Sequence, residues 1–210
     1  MTFFQDFPVP PLPPRTRSQR YVPPPWVAAP AYELPAAVHL GKFVSRTPHM
    51  VVAVKSADVF STGCVFNLSW VLRRGEQSDA DWADLQDLFF HSGRGIRRSN
   101  GRQTGLMFGV EFPDGSKAST GNQIPYGLME QGTDPKPPVV TLNGGGGGGG
   151  DDEFSGTGTL WLWPLPPAGD LRLVAQWTDF GLQETSLMLD GGTLRQAAAS
   201  VQPYWPEEGR

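Results

Sequence analysis

Prolines and glycines set the strongest limits on how this chain can fold. Nine of its 21 prolines fall within residues 1–30, and seven consecutive glycines occupy 144–150. Each proline fixes φ and removes a backbone donor, so the first segment cannot join the interior of a sheet. We therefore predict a flexible Pro-rich arm over residues 1–30, followed by a single domain over 31–210.

The glycine run predicts a second flexible segment, this one inside the domain. Glycine offers no side chain to pack and loses much conformational entropy on ordering. We expect a mobile Gly-rich loop over 144–153, which ends in Asp151, Asp152 and Glu153. The run satisfies GxGxxG, but no helix is predicted after it and the three carboxylates would repel a phosphate. A dinucleotide site is therefore not indicated.

Apolar residues alternate with polar ones in several short runs, which is typical of half-buried strands. The clearest run spans residues 64–72 and pairs as a hairpin with the apolar stretch 51–54. Its inward side chains are Cys64, Phe66, Leu68, Trp70 and Leu72. A second hairpin turns at Asp114-Gly115.

The C-terminal part predicts a meander of three strands, roughly over 159–163, 171–177 and 184–189. The alternation favours a core face made of Trp161, Trp163, Leu171, Leu173, Ala175, Trp177, Leu187 and Leu189. Trp161 and Trp163 would form a stacking platform for sugars if they faced solvent instead. Their predicted pairing with Leu171 and Leu173 favours the core.

Helical spacing is found in two places. One helix runs from Ser78 to Phe89 and begins with the capping pair Ser78 and Asp81, and a short one opens at Gly192. About eight short strands between Gly and Pro turns, without βαβ alternation, predict a mostly β fold. We expect an antiparallel two-layer β-sandwich, Ig-like in general architecture, with two short helices.

Charge and hydropathy narrow the classes of partner. A formal charge of −4 and a pI of about 5.3 give no field that attracts phosphate backbones, so no nucleic acid is expected. The chain shows neither a secretory signal at its start nor an apolar stretch of roughly 20 residues, the length of a membrane span. With its single cysteine, Cys64, this predicts a cytoplasmic protein without a membrane partner.

Four arginines, Arg94, Arg97, Arg98 and Arg102, lie within nine residues of a Gly- and Ser-rich stretch. Guanidinium groups bind anions and acidic protein surfaces, so these four are the candidate contact residues. The alternative is a solvated loop with no partner. In the arm, residues 10–15 match the PxxPxR pattern that aromatic grooves recognise, with a solvated tail as the alternative.

No catalytic, cofactor or metal site is predicted. His39, His49 and His91 lack metal-ligand spacing, and Cys64 falls on an inward strand face with no base nearby. The three acidic residues after the glycine run are adjacent, without the spacing that calcium loops use.

Three segments together resemble a group of actinobacterial proteins with no assigned function. They are GVEFPDGSK (109–117), LWLWPLPPAGDLRLVAQW (160–177) and the stretch from Glu184 to Asp190. The resemblance covers roughly residues 45–205 and implies a GVxFxDGxK/R hairpin, a Gly-rich loop and a WPLPPxGxL turn. It implies no activity, cofactor or catalytic residue.

These patterns assemble no nucleophile, base and orienting group. They favour a non-catalytic β-sandwich that acts through protein–protein contacts, with the partner unspecified and a homo-oligomer left open. The alternative is a small-ligand or carbohydrate-binding module that uses surface aromatics. An enzyme is the third hypothesis.

Overall fold

The fold is mostly β, as predicted. A computed structural model describes residues 21–92, 97–99, 102–122 and 134–205. The strands are β1 (Glu33–Leu34), β2 (Ala36–Arg46), β3 (Met50–Val59), β4 (Cys64–Arg73), β5 (Arg97–Ser99), β6 (Arg102–Thr104), β7 (Met107–Glu111), β8 (Lys117–Ser119), β9 (Val139–Gly149), β10 (Glu153–Trp163), β11 (Asp170–Trp177), β12 (Leu182–Asp190) and β13 (Gln202–Pro203). The helices are α1 (Asp79–Ser92) and α2 (Gly191–Ala197), with 3₁₀ turns at Thr120–Asn122, Thr178–Phe180 and Ala198–Ser200.

Two antiparallel sheets form the sandwich. One has five strands in the order β2-β3-β4-β10-β9, and the other has four in the order β12-β11-β7-β8. Their edges meet where Thr185 Oγ1 of β12 donates to the Val44 carbonyl of β2 at 3.3 Å. Two further pairs, β1 with β13 and β5 with β6, lie outside these sheets.

The core lies between the two sheets, because each sheet has an apolar face that must be hidden from water. Phe66, Leu68 and Trp70 of β4 are buried on one side, and Leu173 and Trp177 of β11 on the other. The Trp70 and Trp177 rings meet edge to face, with centroids 6.4 Å apart. The predicted inward face of residues 64–72 is therefore confirmed.

Helix α1 closes one end of this core. Ser78 Oγ accepts a hydrogen bond from the Asp81 amide at 3.2 Å, so the predicted cap is confirmed. On its inward stripe Trp82 stacks on Phe154, with centroids 4.2 Å apart, and Phe89 stacks on the same ring at 5.4 Å. The helix is therefore held over the β9–β10 hairpin by aromatic contacts. None of the described helices is long and apolar enough to cross a membrane.

The predicted three-stranded meander is wrong. Strand β10 belongs to the five-stranded sheet and β11 to the four-stranded one, so the proline-rich loop between them changes sheets. Strand β10 also begins at Glu153, earlier than predicted, and pairs Leu160 with Phe66. Directly opposed residues share a face, so Leu160 and Leu162 point into the core. Trp161 and Trp163 lie on the outer face, which corrects the prediction by one residue of register.

The glycine run is also not a loop. Residues up to Gly149 continue β9 and pair with β10, so the predicted Gly-rich loop 144–153 shrinks to a turn after Gly149. Two of the glycines are required by close neighbours. A side-chain carbon added at Gly149 would lie 2.2 Å from Phe154 Cδ1, and one at Gly147 would lie 3.0 Å from the Ser155 carbonyl oxygen. The absence of a side chain at Gly149 therefore leaves room for the Phe154 ring, on which the aromatic residues of α1 stack.

The predicted arm 1–30 is packed on the domain in its last part. Residues 1–20, including the PxxPxR pattern, lie outside the described residues. From residue 23 onward the chain lies against the outer face of the five-stranded sheet. There the Trp161 indole donates to the Pro25 carbonyl at 3.1 Å. The first packed residues therefore come before residue 31.

Candidate binding surfaces

The arginine-rich stretch is a hairpin where it is described, which corrects the predicted loop. Strands β5 and β6 pair antiparallel, and Ser99 lies opposite Arg102. Arg97 and Arg98 belong to β5, whereas Arg94 lies outside the described residues. A ribbon of two three-residue strands brings the backbones of Arg97, Arg98 and Arg102 together. The role of the four arginines as anion or partner contacts stays a prediction.

A charged hollow opens on the outer face of the four-stranded sheet. Its volume is about 380 Å³, and Gly109 and Val174 lie opposite each other in its floor. Four charged side chains of alternating sign cross it from strand to strand: Lys117, Glu111, Arg172 and Glu184. Glu111 contacts Lys117 Nζ and an Arg172 guanidinium nitrogen at 3.1 Å each, and Arg172 reaches Glu184 at 3.4 Å. We call this cavity, together with its four charged residues, the charged hollow.

Glu111 is the centre of this charge ladder. Its carboxylate accepts hydrogen bonds first from Lys117 and then from Arg172, and these lower its pKa below the usual value of 4.5. Each charge in the ladder faces an opposite charge on the neighbouring strand, so the hollow carries no net charge. Such a surface suits a ligand or side chain with both hydrogen-bonding and apolar groups.

The lowered pKa of Glu111 makes a pH prediction. A carboxyl whose pKa is lower in the folded state stabilises the fold above its unfolded pKa, and that contribution disappears as pH falls through the folded pKa. The melting temperature of Glu111→Gln should therefore lie below that of the wild type at pH 7. The gap should close as the pH falls below 4.5. Thermal unfolding followed by circular dichroism measures both.

Glu184→Gln is the matched control for that experiment, because among the described residues its carboxylate forms an ion pair with Arg172 alone, at the edge of the ladder. Its melting temperature should differ less from the wild type at pH 7. A gap for Glu111→Gln that stays constant from pH 7 to the acid side would contradict the linkage to Glu111 ionisation.

A second surface lies where the N- and C-terminal strands pair. Strands β1 and β13 place Glu33 opposite Pro203 and Leu34 opposite Gln202, and the Tyr204 amide donates to the Tyr32 carbonyl at 2.8 Å. The Glu33 carboxylate accepts hydrogen bonds from the amide and hydroxyl of Ser61, which anchors this strand pair to the turn after β3. Tyr32, Leu34 and Tyr204 alternate with Glu33 and Pro203 and therefore share the other face of this strand pair.

Four large apolar side chains in and beside this strand pair are exposed. Tyr32 is 47% exposed, Leu34 50%, Tyr204 52% and Trp205 71%. We call these four residues the aromatic ribbon. Trp and Tyr are enriched at protein interfaces because they bury much area at low entropic cost. Their clustering on one small ribbon, anchored through Glu33, makes this the most interface-like surface of the described chain.

The lone cysteine is part of the core. Cys64 is fully buried, and burial raises the pKa of its thiol, which keeps it protonated at neutral pH. In the described ranges, no three His, Cys, Asp or Glu side chains converge as a metal site would require. The His91 side chain lies outside the described set.

Sequence patterns did not reveal either the charged hollow or the aromatic ribbon. The hollow depends on the strand order β12-β11-β7-β8, which places residues distant in the sequence side by side. The ribbon depends on pairing between strands near opposite ends of the chain. Glu111 and Lys117 alone carried a local signal, because the Asp114-Gly115 turn predicts their pairing.

Comparison with known proteins gives no relative: no family model, curated protein or solved structure matches this chain.

Proposed function

We propose that the protein is a non-catalytic β-sandwich that acts by contact with another protein through the aromatic ribbon. The observation that carries this proposal is the exposure of Tyr32, Leu34, Tyr204 and Trp205, four large apolar side chains in and directly beside one anchored pair of strands. A soluble partner with an apolar cleft would bury these side chains and remove their contact with water. Trp205 is the natural centre of such a contact, because Trp is the residue type most enriched among interface hot spots.

A photocrosslinking experiment tests this proposal in the cells that make the protein. A photoreactive phenylalanine analogue at position 204 should crosslink to a defined partner, and Trp205→Ala should abolish most of the product. With the purified partner, Trp205→Ala should weaken binding by about 30-fold, as expected for a hot spot of about 2 kcal/mol. Its melting temperature should stay near that of the wild type, because Trp205 lies outside the core.

Phe43 provides the matched control. It is an exposed aromatic residue of β2, 50% exposed, and it is not part of the ribbon. The same photoreactive analogue at position 43 should give no crosslink to that partner. Equal crosslinking from positions 43 and 204, or unchanged affinity of Trp205→Ala, would contradict the proposal.

A second candidate function is supported by the charged hollow. Its volume of about 380 Å³ lies in the range of small-ligand sites, and its charges can bind a ligand that carries both signs. A ligand there would be lost in Gly109→Val, since the added side chain would fill the floor between Val174 and Ala118. Trp205→Ala would leave such binding unchanged, so the two variants distinguish the two functions.

A further inference from the structure

The segment of residues 23–27 lies on an aromatic surface of the five-stranded sheet, and we call it the N-terminal strap. Its turn is closed by a hydrogen bond from the Val27 amide to the Pro24 carbonyl at 2.9 Å. The Trp161 indole donates to the Pro25 carbonyl at 3.1 Å, and the Trp26 ring meets Trp163 edge to face at 5.9 Å. The strap is therefore bound by side chains, outside any of the strand ladders described above.

These contacts have the chemistry by which aromatic grooves recognise proline-rich peptides. Such grooves offer flat rings to the proline ring faces and an indole N–H to a proline carbonyl. Prolines have few conformations to lose, so binding costs little entropy. Here Trp161, supported edge to face by Phe60 at 6.1 Å, supplies the donor, and Trp163 offers its ring to Trp26 of the strap.

The strap takes part in covering Trp161, beside Phe60 and Gly63 of the domain. Trp161 lies on the outer sheet face yet is only 2% exposed, whereas Val65, its partner across β4, is half-buried. A strap that lifted would free the indole N–H donor of Trp161 and the ring of Trp163 that Trp26 contacts. The sheet beneath would remain intact, because Trp161 does not belong to the hydrophobic core cluster between the two sheets.

We propose that Phe60, Trp161 and Trp163 form a recognition site for proline-rich segments, which the chain's own strap occupies. The ligand is a segment of a partner protein in which consecutive prolines lead into a turn at an aromatic residue, as in Val22-Pro23-Pro24-Pro25-Trp26. The strap acts as a built-in competitor that the partner segment must displace. This site is separate from the aromatic ribbon and does not rest on the function proposed for it.

The covalent connection of the strap to the domain determines how tightly an added peptide is expected to bind. A segment held by a short connection has an effective concentration in the millimolar range at its own site. A free peptide therefore binds the wild type weakly, because the competent state is only a small fraction of the population. Weakening the strap should raise the apparent affinity for an added peptide.

The test uses the full chain and a fluorescein-labelled peptide with the sequence of residues 21–28, followed by anisotropy. The variant Trp26→Ala removes the ring contact of the strap with Trp163 and leaves the site complete. It should bind the peptide about tenfold more tightly than the wild type. A peptide with alanines at all three proline positions should not bind.

Trp161→Phe, introduced into the Trp26→Ala chain, isolates the indole donor. Phenylalanine retains an aromatic ring but has no N–H, so binding should weaken by about tenfold, the effect of one lost hydrogen bond. Equal binding with and without this change, or no saturable binding to Trp26→Ala, would overturn the proposal.

The wild type gives a second readout in case Trp26→Ala fails to fold. The backbone amide resonance of Val27 should shift when unlabelled peptide is added in large excess, because displacement of the strap releases its turn, and an unchanged resonance would overturn the proposal. Sedimentation tests whether the strap of a second copy of this chain occupies the site instead. If the wild type forms a dimer that Trp26→Ala abolishes, the straps exchange between two copies, and the partner-segment proposal is wrong.

Discussion

Gly156→Ala should destabilise the protein by about 3 kcal/mol, because the added methyl group has no room in the core. A side-chain carbon at this position would lie 2.3 Å from Trp70 Nε1 and 2.7 Å from Trp70 Cε2. The Trp70 ring cannot retreat easily, since it packs against Trp177 across the sandwich. Strand and indole would both have to move, and the stability of the core would fall.

Gly148→Ala is the control that isolates this clash. Gly148 lies in the neighbouring strand β9, has no positive φ, and an added carbon there would meet no atom within 4 Å. Both substitutions remove the same glycine freedom from the unfolded chain. Gly148→Ala should therefore leave the protein as stable as the wild type or more stable by up to about 1 kcal/mol.

Urea unfolding followed by tryptophan fluorescence measures both variants, and the difference between their midpoints is the deciding quantity. Equal midpoints for Gly156→Ala and Gly148→Ala would mean that the Trp70 ring does not pack over Gly156. The inner face of β10 would then be assigned incorrectly.

The register of β10 shows where sequence patterns were sufficient and where they were not. From Thr159 to Trp163 both faces of the strand carry large apolar residues, so alternation there cannot decide which face is inward. The deciding stretch lies earlier, where Phe154 is buried while Ser155 and Thr157 are exposed. Gly156 and Gly158 obscured that stretch, because inward glycines are silent in a hydrophobic pattern.

The glycine run failed as a loop prediction for a tertiary reason. Local entropy disfavours ordering seven glycines, but pairing with β10 and the contacts of helix α1 outweigh that cost. The hydrogen bond from Trp82 Nε1 to the Gly150 carbonyl at 3.3 Å fixes the hairpin turn to the helix. Neither contact can be read from the glycines themselves.

Strands with one clean apolar face were predicted well. Strand β4 and the core-facing residues Leu171, Leu173, Ala175 and Trp177 lie where alternation placed them. Surfaces that need two distant segments were not predictable. The aromatic ribbon forms only where β1 pairs with β13, and the strap binds only where residue 25 contacts residue 161. No local sequence pattern encodes contacts between segments so far apart.

Trp177→Ala should cost about 3–5 kcal/mol, which is a large part of the roughly 5–15 kcal/mol that stabilises a domain. Trp177 is buried between the sheets, and its ring centroid lies 4.4 Å from that of Phe180 and 6.0 Å from that of Phe89. Removing the indole leaves a cavity that these rings do not fill without moving α1, which carries Phe89, or the 3₁₀ turn, which carries Phe180. The variant should unfold, or melt far below the wild type.

Trp163→Ala provides the comparison on the opposite face, where the same residue type is only half-buried and meets the strap through Trp26. It should lose no more than about 1–2 kcal/mol, because partly exposed sites leave a smaller cavity.

Trp177→Phe separates ring packing from the indole donor. In the described part of the chain, Trp177 Nε1 is buried without a hydrogen-bond partner, so the wild type already bears an unsatisfied donor. Phenylalanine removes that donor and keeps an aromatic ring against Phe180, and the two effects offset each other. The expected loss is below about 1.5 kcal/mol, well short of the loss for alanine. If Trp163→Ala were the more damaging of the two alanine variants in urea unfolding, the outer position of Trp163 would be wrong, and the core would lie on the other face of β10.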